Sequence, residues 1–211
     1  MIDATHNDDP DTREVLSEDQ ARADVYSLLG SLFYQPPANA LLEGIATGGS
    51  ICNDEQNSEF CRAWRALQQA AATADAEAVK EEFDAAFIST GRAAVMLYGS
   101  YYLAGFLNEK PLAQLRDELA QIGVARRGDR HEPEDHISAL CDVMRLLIVG
   151  DCDAPPANLE TQRDFFRRYI ASWHAPLCDA VDHAAETRFY KHVARLARAF
   201  FDLENESFEL A

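Results

Sequence analysis

Ile137, Leu140, Cys141, Met144, Leu147 and Ile148 recur at three- and four-residue steps. Such spacing draws one apolar face along about three turns of helix, and a face that deep needs a core to cover it. The stretch before it is opposite in character. Arg126-Arg127-Gly128-Asp129-Arg130-His131-Glu132-Pro133-Glu134-Asp135-His136 is charged and broken by a glycine. Pro133 is expected in the first helical turn, where its missing N–H costs nothing. Glu132, Glu134 and Asp135 crowd that end, where the macrodipole favours negative charge. The Gly and Pro residues of Gly150 to Pro156 stop the helix. The sequence thus predicts a carboxylate and an imidazole, Asp135 and His136, at the mouth of a buried helix beside a hinge-like loop.

The rest of the chain keeps the same period. Residues 1–16 are polar and acidic and are expected to form a disordered tail. Ser17-Glu18-Asp19-Gln20 reads as a capping box, opening a helix with Ala21, Val25, Leu28, Leu29, Leu32 and Phe33 on one face. Gln35-Pro36-Pro37 stops it. Leu41, Leu42 and Ile45 mark a short helix ended by Gly48-Gly49. Ser58 is placed to cap the next, with Phe60, Cys61, Trp64 and Leu67 inward. Val79, Phe83, Ala86 and Phe87 mark another. Pro111 opens a helix with Leu112, Leu115, Leu119 and Ile122 inside, and Gly123 falls at its C′ position. Phe165, Phe166, Tyr169, Ile170 and Trp173 form one more apolar face. Pro176 restarts a helix, and the last one uses Phe189, Val193, Leu196, Phe200 and Phe201. No stretch alternates with period two, and no Asn-Gly hairpin signal appears. The fold expected is all-α, with about nine to eleven helices of usual length. It is read as a helical bundle of two subdomains, 17–123 and 132–211, joined by a hinge linker at 124–131.

At 211 residues with 47% hydrophobic content, the chain can bury a core of its own as one domain. Its net charge of -17 repels phosphate and excludes a nucleic-acid surface, while attracting a cationic peptide. The five cysteines are scattered with no Cys-x-x-Cys, which suits a reducing compartment and no disulfide framework. The N-terminus has no apolar segment of the secretory kind, and no run approaches transmembrane length. A cytoplasmic protein without stable membrane insertion is expected.

The motifs of enzyme chemistry are missing from the sequence. There is no phosphate-binding Gly-x-x-x-x-Gly-Lys loop, no dinucleotide Gly-x-Gly-x-x-Gly and no Gly-x-Ser-x-Gly elbow. His131 and His136 are five apart and do not share a helix face. His174, His183 and His192 are nine apart and are expected at the surface or as caps. Asp135-His136 reverses the His-Asp order of helical metal phosphohydrolases. No enzyme activity, no cofactor and no metal site are expected. A helical metal-dependent hydrolase is one alternative, and an acidic helical adaptor unrelated to export is another.

Several short strings point further. Glu132-Pro133-x-Asp135-His136 opens an apolar helix. Tyr98-Gly99-Ser100-Tyr101-Tyr102-Leu103 lies upstream, and Phe189-Tyr190 with Leu196 and Phe200 lies downstream. In this order they resemble the signatures of the TorD/DmsD family of redox-enzyme maturation chaperones, from about Tyr26 to Phe200. Trp173 and Pro176 fall near the family's Trp and Pro. The connector from Ser89 to Val95 departs from the family, with Ala94-Val95-Met96-Leu97 and no proline, and Tyr169 stands where a His is usual. The resemblance implies a chaperone that binds the twin-arginine signal peptide of a molybdenum-cofactor oxidoreductase. It would hold the apo subunit for cofactor insertion before export. By the same resemblance the peptide-binding residues are Asp135, His136, Glu132, Pro133 and Tyr98. A monomer is expected, with a domain-swapped dimer forming when the linker straightens. A far-UV circular dichroism spectrum should be dominated by helix, and substantial sheet signal would overturn this reading.

Overall fold

The structure, a computed structural model, describes residues 10–49, 58–88, 93–107, 110–124, 132–151 and 155–210. In chain order the helices are α1 (Pro10–Tyr34), α2 (Asn39–Thr47), α3 (Glu59–Ala72), α4 (Ala76–Phe83), α5 (Gly99–Ala104), α6 (Lys110–Gln121), α7 (Ile137–Val149), α8 (Leu159–Phe166), α9 (His174–His183) and α10 (Phe189–Leu210). A π-helical turn, Asp84–Ile88, continues α4, and a second, Arg167–Ala171, continues α8. No strand occurs among the described residues, so the all-α expectation holds. The one departure from helix and loop among them is an isolated antiparallel bridge between Tyr98 and His136.

α7 is the helix the others cover. All six residues of its predicted face are buried, and so are Ser138 and Val143 on its flank. α1 lies along it, contributing Tyr26, Leu29, Leu32 and Phe33. α3 packs on α10, and α9 packs on α10 as well. Helices from before and after the expected linker therefore share one cluster of buried side chains. Of the expected hinge at 124–131, residues 125–131 lie outside the described residues.

The helix ends obey the predicted chemistry in most places. Ser58 Oγ accepts the Cys61 N–H at 3.2 Å at the start of α3. Asp75 and Asn158 cap α4 and α8 in the same way, at 2.9 and 2.8 Å. After α6, Gly123 takes φ 73°, a left-handed conformation that costs glycine nothing. The Gly123 N–H then donates to the Ala120 carbonyl and the Val124 N–H to that of Leu119, the Schellman pattern.

Two boundaries are corrected. The first helix begins at Pro10, before the Ser17-Glu18-Asp19-Gln20 box, which lies inside it. The capping signal lost to helix propagation, because the residues before Ser17 contain no breaker after Pro10. The expected tail at 1–16 thus contributes 10–16 to α1, and 1–9 lie outside the described residues. α7 begins at Ile137, with Pro133 in a turn ahead of it and not in its first helical turn.

Further differences concern single side chains. His174 was expected at the surface or as a cap. It is 6% exposed, with Nε2 at 3.0 Å from Asp202 and Nδ1 at 3.2 Å from the Ala171 carbonyl. Cys141 and Cys178 are buried free thiols, but Cys61 is disulfide-bonded, against the expectation of no disulfide framework. Sequence spacing does not reveal such a pairing. Among the described residues no helix is long and apolar enough to cross a membrane.

Two carboxylates tie the ends of α10. Glu82 accepts the backbone N–H groups of Arg188, Phe189 and Tyr190 at 2.7–3.0 Å, satisfying the free amides at that helix start. Glu204, only 3% exposed, takes a two-pronged bond from Arg22 at 2.7 and 2.9 Å and the Tyr26 hydroxyl at 3.0 Å. Without Glu204 the buried Tyr26 hydroxyl loses its acceptor, and Arg22 is left with Asp19, 2.8 Å away, as its carboxylate partner. Glu204→Ala should therefore cost about 3–5 kcal/mol of stability, read from urea denaturation. A loss under about 1 kcal/mol, the worth of an exposed pair, would show that Asp19 and water satisfy Arg22 instead.

Candidate functional site

The sequence places Tyr98 and His136 far apart, and the backbone brings them side by side. The Gly99 N–H donates to the Asp135 carbonyl, and the Ile137 N–H to the Leu97 carbonyl, each at 2.9 Å. This short ladder crosses the starts of α5 and α7. Just before it, the His136 N–H closes a turn onto the Pro133 carbonyl at 3.1 Å. Pro133 cannot donate but supplies the acceptor, and its ring fixes the entry into the turn.

The motif's side chains divide within this frame. The Asp135 carboxylate is 4% exposed and accepts the Ser100 N–H at 2.8 Å. It therefore serves the start of α5, not that of α7, where sequence reasoning put it. At α7 the N-cap is His136 itself, whose Nδ1 accepts the Ser138 N–H at 3.1 Å. An acceptor Nδ1 leaves the ring proton on Nε2 while the cap is made. Glu134 turns to α6 and pairs with Arg116 at 2.8 Å. Glu132 accepts the hydroxyl of Tyr98. Burial, then this bond and the negative charge of Glu132, hold the Tyr98 phenol well above the usual tyrosine range, so it stays a donor. The Tyr98 ring meets the His136 ring edge-on, with centroids 5.1 Å apart at 78°.

A side chain at Gly99, behind this ladder, would be crowded. A β-carbon on Gly99 would stand 3.1 Å from Cε2 and Nε1 of Trp173. Trp173 is buried, stacks on Tyr102 at 5.4 Å and donates its indole N–H to the Tyr169 carbonyl. It has little room to yield.

A cleft of about 380 Å³ opens beside these groups. Phe33, Phe83 and Phe87 line it from α1, α4 and the π-helical turn, with Tyr190 of α10 packed against the last two at 5.6 and 5.0 Å. Leu97, Ile88 and Leu107 add apolar lining, and Tyr98, Glu132 and His136 add the polar part. Ile88 is 61% exposed. A π-helical turn admits one more residue than an α-turn and so re-aims the side chains at its end. Here Phe87 and Ile88 both reach the cleft.

Of the residues singled out in the sequence, Tyr98, Glu132, Asp135 and His136 come together, while Pro133 acts through the turn. Sequence reasoning missed Ser100 as the partner of Asp135. It also took Phe33, Phe83 and Phe87 as plain core. Among the described residues no three His, Cys, Asp or Glu side chains gather as a metal site would require.

Comparison with known proteins agrees with the motifs. The model of the family described as nitrate reductase delta subunit matches residues 53–179. The chaperone protein TorD of Vibrio cholerae is 28% identical over 195 residues, covering 86% of this chain and 89% of the relative. That of Photobacterium profundum is 27% identical over 130 residues, covering 58% of this chain and 60% of the relative. A solved redox enzyme maturation protein of Archaeoglobus fulgidus superposes with a TM-score of 0.56 at 22% identity, covering 86% and 92% of the two chains. At that identity the likeness concerns the fold.

The site predicts two separable effects. Asp135→Ala leaves the buried Ser100 N–H without an acceptor, which costs about 1–3 kcal/mol. Asp135→Asn keeps an acceptor and loses only the charge, about 0.3–1 kcal/mol at a helix start. Urea denaturation of both variants checks the order. Gly99→Ala should cost about 1–3 kcal/mol by crowding Trp173, with a changed tryptophan fluorescence. Native stability and emission in that variant would show that Trp173 has space to move.

Proposed function

Because the chain belongs to the nitrate reductase delta subunit family, we propose that it binds the twin-arginine signal peptide of a molybdenum-cofactor oxidoreductase in the cytoplasm. It holds the apo subunit while cofactor is inserted, before export. At the coarser level it is a maturation chaperone for such enzymes and not an enzyme itself, as its relatives are named chaperones.

The observation that carries the finer reading is the cleft beside the Tyr98–His136 ladder. A signal peptide of this class offers a cationic end and an apolar helical segment. An apolar helix docks by laying its face into an aromatic or aliphatic groove. Phe33, Phe83, Phe87 and Ile88 supply that groove, and Glu132 supplies negative charge at its side. The net charge of -17 adds a long-range pull on a cation and repels nucleic acid. Tyr98, Glu132 and His136 are the lining residues of the site. Asp135 and Pro133 hold the backbone on which they sit. No resident cofactor enters this reading. A domain-swapped dimer beside the monomer fits the same fold, since α1 needs α7, and α3 needs α10, from whichever copy supplies them.

Calorimetric titration of the purified protein with a synthetic twin-arginine peptide tests the proposal. Binding is expected, weakening as salt rises because screening shortens the reach of charge to about 8 Å at physiological ionic strength. Apolar docking should keep it from vanishing at high salt. No binding at any salt, or capture of clients that include no exported oxidoreductase, would favour an adaptor unrelated to export.

A further inference from the structure

Tyr190 is wholly buried and does not line the cleft, yet it meets each segment that supplies the cleft's phenylalanines. Its ring packs against Phe83 and, edge-on, against Phe87, with centroids 5.6 and 5.0 Å apart. Its hydroxyl donates to the Leu32 carbonyl at 2.9 Å, one residue before Phe33. Its own N–H donates to Glu82 at 2.7 Å, one residue before Phe83. The hydroxyl answers a gap that the sequence creates. In a continuing helix the Leu32 carbonyl would accept the N–H of residue 36, but residue 36 is proline and has none. That carbonyl belongs to the last turn of α1, and Leu32 is wholly buried. A buried carbonyl without a donor is destabilising, so a turn in that state shifts toward water. Burial, with the negative charge of Glu82, pushes the Tyr190 phenol above the ordinary tyrosine range, so it stays a donor.

Resting on the reading that the cleft takes a signal peptide, we propose that Tyr190 is the positioning residue of the cleft's apolar wall. It holds Phe33 in register with Phe83 and Phe87, so that the peptide's apolar segment meets a wall already formed. Three rings from three segments make one surface only if the ends of α1 and α4 keep a fixed separation. The start of α10 supplies the link. Glu82 ties it to α4 through three backbone N–H groups, and the Tyr190 hydroxyl ties it to α1. The 93–97 segment, which lines the same cleft, hangs from the π-helical turn, since the Val95 N–H donates to the Ala86 carbonyl at 3.0 Å. A wall held this way binds more tightly than a loose one, because its side chains need no ordering when the peptide docks.

The test titrates the full chain with a synthetic twin-arginine peptide carrying a leucine-rich segment. Calorimetry is run at several temperatures on the native protein, Tyr190→Phe and Ser58→Ala, with thermal melts to confirm folding. Tyr190→Phe keeps the ring and removes only the bond to Leu32. Ser58→Ala removes one hydrogen bond at the start of α3, which does not line the cleft, and so controls for lost stability alone. If the native protein binds no peptide, the signal-peptide reading fails and this inference with it. If it binds, Tyr190→Phe should weaken the peptide about two- to tenfold, the usual worth of one neutral hydrogen bond. Its heat-capacity change on binding should also be less negative, the mark of less apolar surface buried. Ser58→Ala should bind as the native protein does. Native affinity in folded Tyr190→Phe, a loss with native heat-capacity change, or an equal loss in Ser58→Ala overturns the inference while the signal-peptide reading stands. Should Tyr190→Phe not fold, Glu82→Gln decides by the same comparison, since it leaves one acceptor oxygen for three amides. Weaker binding with a less negative heat-capacity change supports the role, and native affinity overturns it.

Discussion

Two backbone hydrogen bonds between residues 97–99 and 135–137 hold this site together. They join segments separated by α6 and by the stretch at 125–131. Without them, α5 and α7 would start at unrelated places, and Tyr98, Glu132 and His136 would share no cleft. Their neighbours protect them. The Asp135 carboxylate covers a free amide at the start of α5, and His136 Nδ1 covers one at the start of α7. Both groups are side chains of the ladder itself, so helix capping and strand-like pairing reinforce one another.

That arrangement explains why a carboxylate and an imidazole occur together in the chain. Each meets a backbone N–H, but on different helices. A helix start needs an acceptor, and either group provides one. The sequence shows that two acceptors stand before an apolar helix. It does not show that one of them serves another helix about 35 residues upstream, because that depends on a tertiary pairing. Legibility in this protein depends on the range of the interaction. The faces of α6 and α7, the caps at Ser58 and Gly123 and the all-α class rest on contacts within a few residues, and these were readable. The start of α1 was misplaced because a local cap signal competes with continued helix. The two π-helical turns left no signal in the hydrophobic period, since Phe83 and Phe87 keep the same spacing in either helix type.

The cleft reflects the same distinction. Phe33, Phe83 and Phe87 look in sequence like core residues, and they are buried as core residues are. They nevertheless line a cavity that the neighbouring helices leave unfilled. Packing that ends at a cleft and packing that ends in the core use the same side chains. The difference lies in what covers the last layer, and here the cover is the 93–98 segment on one side with exposed Ile88 and Leu107 at the rim.

Charge adds the selectivity that apolar contact lacks. An apolar cleft alone would accept many amphipathic segments, because hydrophobic contact has no direction. A single carboxylate among apolar walls changes that. It favours a partner whose cation sits at a fixed distance from its apolar face, and it penalises one that would leave the carboxylate without a donor. An acidic surface raises the encounter rate for cations in general, and an acid in a cleft adds a geometric requirement to that pull. Among the described residues that line the cleft Glu132 is the one carboxylate, while Asp135 secures the start of α5 and Glu134 the contact with α6.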